Sequence, residues 1–542
     1  MMTMNPPLAI DYGLKPLRWN IPTLILWAGL VSWSAAATSS ETSVAGMRPN
    51  VLFISIDDLN DWIEPLGGHP QARTPNLTRL AERSVCFTRA YCPSPGCNPS
   101  RTAVMTGHAP YHSGLYSNYQ DWREVIPNRK TIGAYFRENN YYSAGAGKIF
   151  HYHMVDPNCW DDYWPSQQKN MPEEVFPDFS KSRLLGPGQP PPATMNMPPF
   201  KHMYGMFDWA PMEVGDEAMG DYKSVDYVLG QLRRQHDKPF FLACGIYRPH
   251  LPWYVPQKYF DLFPEDEMLL PKTLASDLDD LGDRARGIAT RGGDYHRHVI
   301  KADQWKQAVQ GYLASIAFAD AMLGRLLDGL DASPLRENTI IVLWSDHGWQ
   351  LGEKAHWRKF ALWDNVARSV LMIHAPRTSP GLPSGSRDGD LCHRVVSLQD
   401  IYPTLIDLCG LPTRKNIDGR SLSPLLLNPQ SRWNHVALTT YDADEFSIRS
   451  ERYRYIRYVD GSEELYDHTT DPEEWHNLAH DPKFESIKHE LASYIPTNPA
   501  PLLRTSEKLQ PHHIPPFRSL ADYQEWLQHG KDNQYIIDKY WR

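Results

Sequence analysis

The chain has 542 residues, 41% of them hydrophobic and 22% charged, the proportions of a water-soluble globular protein with ample core. That length admits two to four average domains, or one large α/β domain with an appendage. A net charge of −9 argues against a nucleic-acid binder, although a locally basic pocket for an anionic substrate is compatible with an acidic surface.

The N-terminus reads as an export signal over 1–37: Lys15 and Arg18 give a positive region, Ile21 to Trp33 an apolar run, and "SAAAT" a small-residue cleavage site. The run is short for a membrane span, so no stable span is expected and the mature protein is placed in the periplasm or outside the cell. An uncleaved anchor is the alternative. A polar linker, Thr38 to Met47, leads to a main domain expected over 48–434, followed by a C-terminal α+β subdomain and tail over 435–542.

Val51 to Ile56 is a short β-branched, apolar run that predicts a buried strand, with Asp57 and Asp58 at its end. "TPNLTRLAERS", Thr74 to Ser84, predicts a helix behind a threonine cap and a proline. "SRTAVMTG" behind Pro99 and Thr131 to Asn140 predict two more helices, and "YYSAGAGKIFH" a strand ending in a loop. Residues 155–212, rich in proline and aromatics, read as an irregular surface insertion. "DEAMGDYKSVDYVLGQLRRQ" predicts an amphipathic helix, "KPFFLACGIY" a buried strand, and Trp305 to Leu330 a long helix. "NTIIVLWSDHG" predicts another strand, ending at Asp346 and His347. From about residue 435 short strands with polar turns suggest a small antiparallel sheet.

This alternation argues for an α/β fold: a large, mostly parallel sheet sandwiched by helices, with a smaller C-terminal antiparallel-sheet subdomain. In such sheets function collects at the carboxyl ends of strands. Both acidic pairs fall there, and carboxylates with an imidazole suit a divalent cation, Ca²⁺ or Mg²⁺. The plain alternative is that Asp57 and Asp58 cap the following turn. Seven cysteines occur, at 86, 92, 97, 159, 244, 392 and 409, and none has zinc-site spacing. An odd count in an oxidising compartment leaves one over. Cys97, in "CNPSR" at an expected helix start, is the candidate for a thiolate nucleophile, with a disulfide to Cys92 as the alternative.

"CNPSR", Cys97 to Arg101, followed by Thr106-Gly107, resembles the signature of the type I sulfatases. The resemblance runs on through "PNVLFISIDDL", "TPNLTRLAERS", "NTIIVLWSDHGWQLGE" and "LYDHTTDPEEWHNLA" in the same order. "GKIFH" (Gly147 to His151), "YRPHLPW" (Tyr247 to Trp253) and "LGEKAHWRKF" (Leu351 to Phe360) look most like iduronate-2-sulfatases and related uronate 2-O-sulfatases. The resemblance implies the alkaline-phosphatase-like fold and hydrolysis of sulfate esters on a sulfated oligosaccharide. It implies that a formylglycine-generating maturation enzyme converts Cys97 to formylglycine, whose hydrate attacks sulfur to give a covalent sulfo-enzyme. Asp57, Asp58, Asp346 and His347 would bind one Ca²⁺ together with residue 97. Arg101 and Lys148 would steady the hydrate, His151 would act on one of its hydroxyls, His250 would assist the departing alcohol, and Lys359 would bind the sulfate. Three alternatives stay open: another position on an algal polysaccharide, a phosphoester or phosphonate substrate, and a silent glycan binder. The sequon at Asn76 is given no function.

Overall fold

The computed structural model describes residues 48–151, 154–165 and 207–503, with 525, 528 and 529, apart from the side chains of 291–294. The export-signal reading, most of the insertion and most of the tail lie outside the described residues.

The main sheet has eight strands: β1 (Asn50–Ile56), β2 (Val85–Phe87), β3 (Tyr142–Gly147), β4 (Asp162–Trp164), β5 (Phe240–Ile246), β6 (Thr339–Ser345), β7 (Leu371–His374) and β8 (Leu391–Cys392). Their spatial order is β8-β2-β7-β6-β1-β5-β3-β4. The run from β6 to β4 is parallel throughout, and β7 pairs antiparallel with both its neighbours. β1, β5 and β6 are buried along their whole length, which is why they read as nearly continuous apolar runs and not as alternating ones.

The two faces of the sheet carry separate cores. Leu52, Ile54 and Ile56 pack with α1 (Pro75–Ala81), α4 (Gly220–Arg233) and α5 (Trp305–Asp331). Val51 and Phe53 point the other way, onto α2 (Cys97–Thr106), α3 (Ile132–Glu138) and α6 (Ile401–Leu408). The period-2 geometry of a strand makes this division unavoidable once both faces are covered. Asn76 is committed to the fold: its amide nitrogen donates to Asp320 Oδ2 on α5 at 2.8 Å, tying α1 to α5.

Two expectations need correction. The insertion is not irregular at its ends: β4 joins the main sheet through β3, and Trp209–Met212 pairs parallel with Trp253–Pro256. Trp160, Tyr163 and Trp209 are buried, so the aromatic residues recruit these stretches to the core. The cysteine count carries no information, because all seven are buried free thiols and Cys92 is not bonded to Cys97. Among the described residues no helix is long and apolar enough to cross a membrane.

The C-terminal sheet is antiparallel, with β9 (Ala437–Asp442), β10 (Glu445–Arg449), β11 (Tyr453–Arg457) and β12 (Glu463–Asp467) in sequential order, followed by α7 (Glu485–Ala492). Arg454 of β11 is fully buried and joins it to the main body, pairing with Asp364, which follows the long loop from β6, and at 2.6 Å with Glu474. Burial pushes both carboxyl groups up, but Arg454 and His468 together, with Arg368 and Arg449 beside Asp364, hold them below their ordinary values. Their stabilising contribution is therefore complete above the ordinary values of 3.8 and 4.5 and is lost as pH falls below them. Arg454→Met strands two buried carboxylates and is expected to cost about 3–5 kcal/mol at neutral pH. Protonation relieves that penalty, so the gap in melting temperature from the wild type should narrow toward about pH 4. A gap that stays constant between neutral and acid pH would contradict this account.

Candidate active site

Four parallel strands deliver polar residues to one end of the sheet. β1 runs into Asp57 and Asp58, β6 into Asp346 and His347, β3 into Lys148, and β5 through Tyr247 and Arg248 to His250. α2 meets them with Cys97 at its first position, Gly96 serving as the cap. Two glycines let the ends of β3 and β5 touch. A Cβ on Gly147, at φ +76°, would lie 1.9 Å from the Gly245 carbonyl oxygen, and one on Gly245 would lie 2.3 Å from Lys148 N.

Charge is concentrated here without exposure to water. Arg101 reaches from the second turn of α2, donating from Nη2 to Asp57 Oδ1 at 2.8 Å and from Nε to Asp346 Oδ2 at 2.9 Å. Its Nη1 donates to the Lys148 carbonyl at 2.6 Å. The Lys148 ammonium pairs with Asp57 Oδ2 and lies 3.8 Å from Cys97 Sγ. Lys359 Nζ stands 2.8 Å from both Asp58 Oδ1 and Cys97 Sγ. Ser100 Oγ donates to the Asp346 carbonyl at 2.5 Å, fixing α2 against the end of β6.

Burial pushes Asp57 up, but Lys148 and then Arg101 bring it below its ordinary value; burial likewise opposes Asp346, which Arg101 and His347 hold far down. Asp58 is raised, chiefly by burial. The expected depressed thiol at Cys97 is overturned: burial holds it well above its ordinary value despite Lys148 and Lys359. Burial, with Lys359 and Lys148, pushes His250 and His151 well below the ordinary imidazole value.

The donor set fits a divalent cation. Asp58, Cys97, Asp346 and His347 offer ligand atoms within 4.8 Å of one another, as do Asp57, Asp58, Cys97 and His250. His347 Nδ1 lies 2.9 Å from the Gly348 carbonyl, which can only accept, so Nδ1 donates there and Nε2 faces inward. Nε2 lies 3.4 Å from Asp58 Oδ1 and 3.6 Å from Asp346 Oδ2, close enough for the three to share one cation. Asp58 Oδ2 is buried with no hydrogen-bond partner, and Asp58 itself is left-handed at φ 56°. The cluster of Asp364, His468 and Glu474 has similar proximity, but Arg454 already occupies it.

The structure brings all ten sequence-derived candidates to this end of the sheet, His151 by its electrostatic coupling to Lys148, Lys359, Asp57 and Arg101. Sequence reasoning missed two supports. Asp221, in the first turn of α4, accepts from the backbone N–H groups of Tyr247 (2.7 Å) and Arg248 (3.0 Å), anchoring the loop that bears His250. Tyr312 of α5 donates to the Asp58 carbonyl at 2.8 Å. A helix-start aspartate and one tyrosine in an apolar helix gave no signal.

The fold is the alkaline-phosphatase-like one, with a cluster able to hold a metal ion at the strand ends, and a solved phosphonate monoester hydrolase of Agrobacterium radiobacter is structurally similar (TM-score 0.66, 21% identity, 82% of this chain and 94% of that one). Residues 49–411 match the sulfatase family, and 352–498 match the N-sulphoglucosamine sulphohydrolase C-terminal family. A sulfatase of Formosa agariphila is 36% identical over 86% of this chain and 90% of its own length. Two further relatives are each 30% identical: a choline-sulfatase of Rhizobium meliloti (80% of this chain, 83% of its own) and the human iduronate 2-sulfatase (71% and 74%). The chain belongs to the type I sulfatase family and is a sulfuric ester hydrolase.

Gly245→Ala should force β3 and β5 apart where Lys148 begins. A displacement near 1 Å is expected to lower sulfate-ester turnover by roughly a hundredfold. Unfolding in urea should show a loss of about 2 kcal/mol or more, as for other substitutions at special backbone positions. Wild-type turnover and stability in this variant would mean the close approach is dispensable.

Proposed function

We propose that the protein is an exported sulfatase that removes 2-O-sulfate from a uronic acid of a sulfated glycan. The observation that carries the reading is the placement of Cys97, at the head of α2, against the acidic strand ends and 2.8 Å from Lys359 Nζ. The relationship to iduronate 2-sulfatase supports the choice of substrate, as do the "GKIFH" and "YRPHLPW" segments.

In this reading a maturation enzyme oxidises the Cys97 thiol to the aldehyde of formylglycine, which supplies, as its hydrate, one hydroxyl to attack sulfur and a second to expel sulfate. Asp57, Asp58, Asp346 and His347, with residue 97, would hold a single Ca²⁺, with Mg²⁺ the other candidate, and when bound it would supply Lewis-acid polarisation of the sulfate oxygens. Arg101 keeps two of those carboxylates ionised and aligned. Lys148 and Lys359 neutralise charge gathering on the sulfate. His250 donates from Nδ1 to the Leu251 carbonyl at 2.6 Å and faces Asp58 with Nε2, and in the form that also carries a proton on Nε2 it would give that proton to the departing alcohol. His151 takes the proton of the second hydroxyl.

A second reading, hydrolysis of a small cationic sulfate ester, is favoured by the choline-sulfatase relative. A panel separates the two: terminal 2-O-sulfated uronate, internal 2-O-sulfated uronate, 6-O-sulfated hexosamine, choline sulfate and a phosphonate monoester. Sulfate release confined to the terminal uronate is expected; release from choline sulfate alone would replace the substrate while keeping the chemistry. Cys97→Ala should abolish turnover, and peptide mass analysis of active protein should show residue 97 without its sulfur. Ca²⁺ at a hundredfold its Kd should stabilise the fold by ~2.7 kcal/mol in a thermal melt. Asp58→Asn is expected to remove that response, and an undiminished shift in this variant would overturn the ligand assignment.

A further inference from the structure

Lys359 stands on a backbone that few residues adopt unaided. It lies between Arg358 (φ 79°) and Phe360 (φ 69°), and the same loop holds Gly352 (φ 124°), Lys354 (φ 51°) and Ala355 (φ 52°) in left-handed conformations. Such a run persists only where its surroundings over-determine it. The loop leaves a minimal hairpin in which Gln350 and Leu351 pair with Arg358 and Trp357, and the Phe360 N–H donates to the Pro95 carbonyl at 2.9 Å. The ammonium of Lys354 is held by Asp277 Oδ1 at 2.6 Å. These contacts fix the loop's flanks, and none of them touches Lys359.

His356 does. Its imidazole is 2% exposed and packs edge-on against Trp363 at 5.9 Å. Nε2 lies 3.0 Å from the Lys359 carbonyl oxygen. Nδ1 lies 3.0 Å from the Ile288 carbonyl and 3.3 Å from that of Ala289, in the last turn of the helix Asp283–Ala289. Carbonyl oxygens only accept, so a ring nitrogen that carries a proton donates to the carbonyl it faces. The ring thus links the backbone of Lys359 to the end of a helix elsewhere in the chain.

We propose that His356 is a positioning residue for Lys359: through this two-sided tie it sets where the ammonium sits relative to Asp58 and residue 97. The proposal rests on the sulfatase reading above and on the role given there to Lys359. It predicts that a side chain without two nitrogens on opposite edges of a rigid ring cannot bridge the two carbonyl groups and lets the loop relax, with the lysine misplaced and the rest of the site intact.

The test is a double-mutant cycle on p-nitrophenyl sulfate with mature, Ca²⁺-loaded protein: wild type, His356→Gln, Lys359→Ala and the double variant. His356→Gln should lower kcat roughly tenfold or more, with KM within about twofold, as for an interaction made in the transition state. In the Lys359→Ala background the same change should alter kcat by less than about twofold, since the lysine is already gone. Hydrogen–deuterium exchange should rise in the 352–360 peptide of His356→Gln and stay unchanged in the peptide covering Asp57 and Asp58. Equal losses in both backgrounds, or unaltered exchange in 352–360, would overturn the proposal. Sulfate-ester hydrolysis by the wild type that survives Lys359→Ala unchanged would remove the lysine's role and the proposal together, while leaving the sulfatase assignment standing. No hydrolysis by the wild type would remove the reading itself, and unaltered loop exchange is the separate result that defeats the tie. Should His356→Gln fail to fold, His356→Asn, whose shorter amide likewise cannot span both carbonyl groups, carries the same comparisons.

Discussion

Arg101 crosses from α2 to the ends of β1 and β6, pairs with Asp57 and Asp346, and has no contact with water. Taking an ionised guanidinium out of solvent costs several kcal/mol unless its donors are satisfied. Here they are: two carboxylates and the carbonyls of Lys148 and Ile149 receive them. The rest of the site depends on that compensation. Three aspartates brought together in a dry crevice would otherwise protonate or spread apart. With Arg101 and Lys148 in place, Asp57 and Asp346 remain ionised, and the strand ends that carry them are locked to the start of the helix that carries Cys97.

Strands were the most legible part of the chain, because burial on both faces leaves an unbroken apolar run that only a central strand uses. β1, β5 and β6 lie where "VLFISI", "FFLACGI" and "TIIVLWS" predict them. The acidic pairs were legible for the same reason: polar residues directly after such runs fall at the carboxyl end of a parallel sheet. β4 and Trp209–Met212 were not, since their few residues owe their conformation to aromatic packing against distant core and carry no period of their own.

Single residues show the same boundary. Lys148, His151, His250 and Lys359 mean little by composition; the joint resemblance to a family gathered them, and their convergence follows from which strands are neighbours. Asp221, Tyr312 and His356 act through backbone groups of other segments, so nothing in their own sequence context marks them. The cysteine argument failed in an instructive way: parity singled out Cys97, yet all seven thiols are free, and position at the head of α2 is what distinguishes it.

The C-terminal sheet is part of the site's support and not an accessory. Arg454 of β11 binds Asp364 and Glu474, and the Glu474 backbone carbonyl receives the Lys354 ammonium. Lys354 lies five residues from Lys359, in the same loop of left-handed residues. Side-chain contacts therefore lead from the small sheet to the loop that bears Lys359, whose ammonium lies 2.8 Å from Cys97 Sγ. A strained loop needs rigid anchors, and a sheet with its own core, built on Phe446, Ile448, Tyr455 and Leu465, provides one that the main domain does not contain. The family match across 352–498 covers this same stretch, from the lysine loop to α7. The loop and the small sheet are tied together through Glu474, in keeping with a family match that runs on past the end of the large parallel sheet.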